Sequence, residues 1–279
     1  SWIKARGNRD KVILASKVVG RSDKEWFRGG KTATLSRAHV RDAIEKGLKR
    51  LQTDYIDLYQ VHWPDREVST FGSNPTMFEA AEQPADEVPI EEALDALTAL
   101  QREGKIRHVG LSNESPWGTM RYLAAAETAG LARVQSIQNA YSLVNRTFEV
   151  GLAEIAMRED VGLLAYSSLA QGYLTGKYEN GARPEGSRKA LFDRLQRYEK
   201  PGADVAISAY VALARELGID PARLALRFAM TRPFTTSVIL GATKPEQLST
   251  DMDAESLDWT PELQEKVDAI HMLHQNPCP

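Results

Sequence analysis

The chain is poor in cysteine, in closely spaced glycines and in long apolar runs. Its one cysteine, Cys278, is next to last of 279 residues, so no disulfide can close within the chain, and a reducing, cytoplasmic setting is expected. A catalytic thiol is not expected at that position either. No Gly-x-Gly triplet occurs, which excludes the dinucleotide turn of a Rossmann domain. No apolar stretch approaches the roughly 18 residues of a membrane helix, and the first residues lack the charged-then-apolar layout of a signal peptide. Charge of one sign is missing too: 35 Lys and Arg stand against 38 Asp and Glu, a net charge of -3. No global positive field therefore draws nucleic acid or an anionic membrane. No metal site is expected, because His39, His108, His271 and His274 form no ligand pattern.

What is present is the composition of a globular protein with a large core, 42% hydrophobic and 26% charged. Short β-branched or aliphatic runs alternate with stretches of helical period, as in a parallel α/β sheet. Strands are expected at Val12–Val18, Tyr55–Val61, Arg107–Leu111, Val134–Gln138, Val161–Ala165 and Thr236–Leu240. Between the first two, Val40, Ile44, Leu48 and Leu51 mark a helix face, with Ser36 placed as its N-cap. Ile90, Leu94, Leu97 and Leu100 mark the next helix, which should stop at Gly104. The opening Ser1-Trp2-Ile3-Lys4-Ala5-Arg6-Gly7 reads as the last turns of a helix ending on a glycine cap, so a preceding segment is expected.

Two connections, Asp65 to Pro89 and Ser168 to Gly202, exceed ordinary loop lengths and favour lids or binding segments. The second carries Lys177, Arg183, Arg188, Lys189, Arg194, Arg197 and Lys200 against Glu179, Glu185, Asp193 and Glu199. That excess fits either a solvated charged loop or an anion clamp. Gly30-Lys31-Thr32 resembles the end of a P-loop, but Glu25 stands where the earlier glycine is required, and the reading is discarded. No interdomain linker is evident, and residues 1–279 read as one domain.

In parallel α/β proteins, polar residues at the C-terminal ends of strands face the ligand. Lys17, His62 and Ser112-Asn113 close three successive strands. Tyr59 cannot join them, because three residues from His62 on a strand it points to the other face.

The stretch Leu48-Lys49-Arg50-Leu51-Gln52-Thr53-Asp54-Tyr55-Ile56-Asp57-Leu58-Tyr59-Gln60-Val61-His62-Trp63-Pro64 resembles the signature of the aldo-keto reductases, most like the bacterial Tas-type branch and the related potassium-channel β subunits. The likeness continues through Gly104–Asn113, Ile137-Gln138-Asn139, Leu164–Leu169 and Leu240–Leu248.

This resemblance implies a (β/α)8 TIM barrel with NADPH across its C-terminal mouth and hydride transfer to an aldehyde or ketone. Six of the eight strand-helix units are found, the first two of the barrel having no counterpart in these 279 residues. Lys17 would be the lysine that lowers the pKa of a catalytic tyrosine, and His62 would polarise and orient the carbonyl. Ser112, Asn113 and Gln138 would hold the carboxamide, and Tyr166 would stack on the nicotinamide. Ser167, Leu169, Gln171, Lys177 and Arg188 would line the pyrophosphate. Gly241, Thr243, Lys244 and Gln247 would grip the adenosine end, with Lys244 near the 2′-phosphate.

The chain also departs from the family pattern. Gly47 stands where a serine is usual, and Asp251 where the adenine contact is usually asparagine, which removes a donor and adds like charge. The family's catalytic aspartate and tyrosine lie on a strand before the one ending at Lys17, and neither has a counterpart here. The chain expressed alone is therefore expected to be aggregation-prone and nearly inactive. The competing function is a non-catalytic NADPH-binding or partner-binding protein similar to the channel β subunits. His62 argues against it, since the channel subunits that the chain resembles lack that histidine. A Schiff-base role for Lys17 in a barrel aldolase is a third reading, separable by borohydride trapping. A small-molecule carbonyl substrate is the expected partner, and the sequence says nothing of oligomeric state.

Overall fold

The computed structural model describes residues 2–69, 77, 80–192 and 195–279, and these form two compact units. Part of the first long connection, and Asp193 and Arg194 of the second, lie outside the described residues.

The first unit holds the described residues up to Val68, residues 80–138 and Glu159–Val161. Its strands β1 (Ala15–Val18), β2 (Ile56–Val61), β3 (Ile106–Ser112) and β4 (Val134–Gln138) pair in parallel in chain order. Helices α1 (Arg37–Leu51), α2 (Ile90–Arg102) and α3 (Pro116–Ala129) follow the first three strands. The expected apolar faces are the buried ones: Val40, Ile44 and Leu48 on α1, and Ile90, Leu94, Leu97 and Leu100 on α2. Gly104 takes a φ of 74° just past α2, a conformation that favours glycine.

Two local expectations shift. Strand β1 starts at Ala15 rather than Val12, because the Asp57 carboxylate accepts from the Leu14 N–H at 2.8 Å in place of a strand carbonyl. Ser36 precedes α1, but its hydroxyl bonds to Thr34 Oγ1 and caps no helix N–H. Ser115 does cap α3, accepting from the Gly118 N–H at 3.2 Å ahead of Pro116 in the first turn.

The second unit includes residues Asn139–Arg158 and Gly162–Pro279. Here β5 (Gly162–Ala165) and β6 (Thr235–Val238) pair in parallel, and β6 ends short of the expected Leu240. The longer helices are α4 (Leu152–Glu159), α5 (Ala203–Glu216), α6 (Pro221–Met230), α7 (Pro245–Asp253) and α8 (Pro261–Leu273). Tyr141 stacks on Phe228 at 5.5 Å and meets Phe234 edge-on at 5.4 Å, forming an aromatic core. Beside it Arg146 reaches Glu149 and Asp268, so its buried charge is compensated. Cys278 is buried, and desolvation pushes its thiol up to about 12, which makes it inert at neutral pH. Among the described residues no helix is long and apolar enough to cross a membrane, and no cluster of His, Cys, Asp and Glu could hold a metal.

Candidate active site

In the first unit, Lys17 lies opposite Gln60 in the β1–β2 register, and the His62 N–H extends the ladder to the Val18 carbonyl at 2.8 Å. Strand alternation then puts Lys17, Gln60 and His62 on one face. Tyr59, on the other face, is 2% exposed, and burial drives its phenol pKa well above the ordinary value. Gly110 faces Gln60 across β2 and β3; a Cβ there would sit 2.9 Å from Ser136 Oγ and 3.0 Å from Gln60 Cγ. The layer beneath the strand ends is thus filled by side chains rather than open to water.

Burial lowers the Lys17 pKa from the usual lysine value. Desolvation, reinforced by the Lys17 charge, pulls His62 down to about 4. Burial thus weighs against the charge on Lys17, and the imidazole beside it is neutral at neutral pH, a pair suited to a polarised carbonyl oxygen.

The third strand end joins this pair. Ser112 Oγ donates to the Gln138 carbonyl at 2.8 Å, and the Asn113 amide nitrogen donates to the His62 carbonyl at 2.8 Å and to Ser112 Oγ at 3.1 Å. Asn113 holds a φ of 52°, an unusual backbone for a non-glycine residue outside a turn. The structure therefore brings Lys17, His62, Ser112, Asn113 and Gln138 together within the first unit.

In the second unit, Tyr166 follows β5, its N–H bonded to the Asn139 carbonyl at 3.1 Å. The Arg197 guanidinium lies 6.0 Å from the Tyr166 ring centre. Beyond Tyr166, Ser167, Ala170 and Gln171 hold φ values of 58°, 48° and 55°, and Gly172 one of 101°. Left-handed residues in such a run concentrate at ligand clamps. The Gln171 amide oxygen is buried with no hydrogen-bond partner among the described residues. Gly172 makes room for Lys177, whose Nζ would be 3.0 Å from an added Cβ.

Lys189 is held by Glu199 at 3.1 Å and by the Tyr173 hydroxyl at 3.0 Å, a local structural pairing. Arg188, one residue away on a short helical turn, is exposed. At the far end, Thr243 donates twice to Gln247 Oε1, at 3.1 Å each, while Gly241 and Lys244 are exposed before α7. Asp251 is buried on α7; desolvation and the Asp220 charge raise its pKa, and Lys177 opposes them.

Sequence reasoning missed Arg197, and it missed two buried ion pairs beside the first-unit site. Arg21 binds Asp65, and Arg66 binds Glu114. None of these residues stands out by spacing. Asp65 directly follows the Val61–Pro64 stretch, which was its one available signal.

A model of the aldo/keto reductase family matches residues 1–271. The chain belongs to the aldo/keto reductase family. It is therefore an oxidoreductase by family, and its six parallel strands are those of a (β/α)8 barrel. It is 45% identical to the Escherichia coli protein tas, over all of this chain and 80% of that protein. An aldo-keto reductase of Babesia bovis is 39% identical, over 96% of this chain and 98% of its own length. A putative voltage-gated potassium channel subunit beta of Schizosaccharomyces pombe is 31% identical, over 94% and 72%.

Proposed function

We propose that the chain serves an NADPH-dependent reductase of aldehydes and ketones, with Lys17 and His62 handling the carbonyl. The observation that carries this reading is the desolvated lysine facing a neutral histidine on adjacent strand ends. The residues present fit a nicotinamide dinucleotide: Ser112, Asn113 and Gln138 form one polar group in the first unit, and in the second Ser167, Ala170, Gln171 and Gly172 hold left-handed backbone, with the Gln171 acceptor unpartnered among the described residues. Bound NADPH would supply the hydride for the carbonyl carbon.

The protein's own residues divide the remaining work. Ser112, Asn113 and Gln138 would orient the carboxamide, and Tyr166 would offer its ring face to the nicotinamide. Ser167, Leu169, Gln171, Lys177 and Arg188 would take the pyrophosphate. Gly241, Thr243, Lys244 and Gln247 would take the adenosine end, with Asp251 beside it. His62, neutral above about pH 4, donates one hydrogen bond to the carbonyl oxygen and carries no charge that would repel Lys17. The tyrosine that the resemblance assigns as proton donor has no counterpart in the chain. Joining an upstream segment with two strand-helix units is expected to raise turnover by about 10²- to 10⁴-fold, the usual worth of a positioned general acid.

Fluorescence titration with NADPH and NADH tests the cofactor reading. NADPH should bind more tightly, and Lys244→Met should weaken NADPH selectively, by about 1–3 kcal/mol for a charge-assisted phosphate contact. Equal loss for both cofactors would refute that role of Lys244.

A further inference from the structure

We infer that the buried Arg21–Asp65 pair positions His62, locking the turn after β2 onto the turn after β1 so that the imidazole is held against Lys17. The inference rests on reading Lys17 and His62 as the carbonyl-handling pair.

Asp65 is 4% exposed, and its hydrogen bonds among the described residues run to other segments of the first unit. Its Oδ1 accepts from Arg21 Nε at 3.1 Å, from Arg21 Nη2 at 3.0 Å and from the Val88 N–H at 3.1 Å. Its Oδ2 accepts from the Leu35 N–H at 2.8 Å. One carboxylate thus closes the turn after β1, the approach to α1 and the approach to α2. Arg21 is anchored in turn by Asp86, at 2.8 Å to the carbonyl and 3.1 Å to the carboxylate. Asp65 and Asp86 hold the Arg21 pKa above its ordinary value against the opposing effect of burial.

The same two turns are tied from the opposite direction. Trp63 Nε1 donates to the Arg21 carbonyl at 2.9 Å, and the His62 N–H donates to the Val18 carbonyl at 2.8 Å. Gly20 packs so tightly that a Cβ would lie 2.1 Å from the Trp63 carbonyl oxygen and 2.3 Å from that of Pro64. His62, Trp63, Pro64 and Asp65 follow one another, and the fixed φ of Pro64 leaves little slack between the Asp65 tie and the imidazole. The Trp63 ring, fixed by its indole bond, lies 4.5 Å from the His62 ring. An ordinary stabilising ion pair needs none of this convergence on the turn that carries His62. Arg21 and Asp65 are accordingly positioning residues.

The test follows the His62 imidazole by NMR in the full chain, assigned with His62→Gln, for wild type, Asp65→Asn and Arg21→Met. In wild type His62 stays neutral between about pH 5 and 7.5, because its midpoint is near 4. In the variants the imidazole gains water and loses its hold beside Lys17, so the midpoint should climb by about one unit or more and enter that window. Should Asp65→Asn or Arg21→Met not fold, Arg21→Lys keeps the charge opposite Asp65 and should give a smaller climb in the same direction. A folded variant whose His62 still does not titrate in the window overturns the inference.

Kinetics supply the second readout: turnover should fall in Asp65→Asn while the NADPH dissociation constant holds. Titration shifts without carbonyl reduction, once the chain is joined to an upstream segment of two strand-helix units, would defeat the reductase reading alone. Reduction with unmoved His62 would defeat the positioning role alone.

Discussion

The two units hold their candidate residues by different means. In the first, the strand-end turns are closed by buried ion pairs, Arg21–Asp65 and Arg66–Glu114, and by backbone packed on backbone at Gly20. In the second, the candidate residues sit on left-handed backbone and exposed charged segments, with Lys244, Gly241 and Arg188 open to solvent. Carbonyl chemistry needs groups fixed to within fractions of an ångström, whereas a long dinucleotide is gripped at many points, each adjustable. On the proposed function, the carbonyl-handling groups of the first unit are pre-organised, and the second unit's residues would close around the dinucleotide.

Glycine substitutions sharpen this contrast most. Gly20→Ala forces a Cβ onto two carbonyl oxygens that cannot rotate away, and should cost about 3 kcal/mol or more. Gly162→Ala in the second unit meets first the Thr236 hydroxyl, at 1.8 Å, a side-chain atom that a rotamer change removes. It should cost about 1–2 kcal/mol. Urea denaturation measures both, and equal losses would break the comparison.

A smaller effect is expected at Asp251. Asp251→Asn should tighten NADPH binding by a few-fold at pH 8 and by less at pH 5. The raised pKa, from burial first and Asp220 second, leaves less charge to remove as the pH falls. Titrations at the two pH values check this, and tighter gain at the lower pH would contradict it.

The smallest effect concerns Gly47, inside α1, where an added Cβ meets nothing within 4 Å. Gly47→Ala should stabilise the chain by about 0.5–1 kcal/mol through lower backbone entropy in the unfolded state. A destabilised variant in thermal or urea unfolding would show that the helix face is tighter than its geometry indicates.

Local pattern made much of this legible. The spacing of Val40, Ile44 and Leu48, and of Ile90, Leu94 and Leu97, marks helices whose buried faces are the ones observed. Lys17 and His62 are visible because each closes an apolar run, and strand geometry turns that into adjacency. The Arg21–Asp65 tie is not visible, since each partner reads as an ordinary polar loop residue and the two meet only when the strands pair. The late start of β1 has the same origin: the Asp57 side chain takes the Leu14 N–H, a competition that no apolar pattern registers. Left-handed conformations at Ser167 and Gln171 were also hidden, because serine and glutamine carry no conformational mark of the kind glycine does.

The central claim is that His62, set against Lys17, polarises a carbonyl for reduction. Its most direct test is steady-state oxidation of NADPH with a simple aromatic aldehyde. It compares the chain, joined to an upstream segment of two strand-helix units, with the same protein carrying His62→Ala. Aldehyde-dependent oxidation that falls by about 10²- to 10⁴-fold in the variant, at unchanged NADPH affinity, is the predicted result. Tight NADPH binding without aldehyde-dependent oxidation in either protein would contradict the account and leave a binding protein like the channel β subunits.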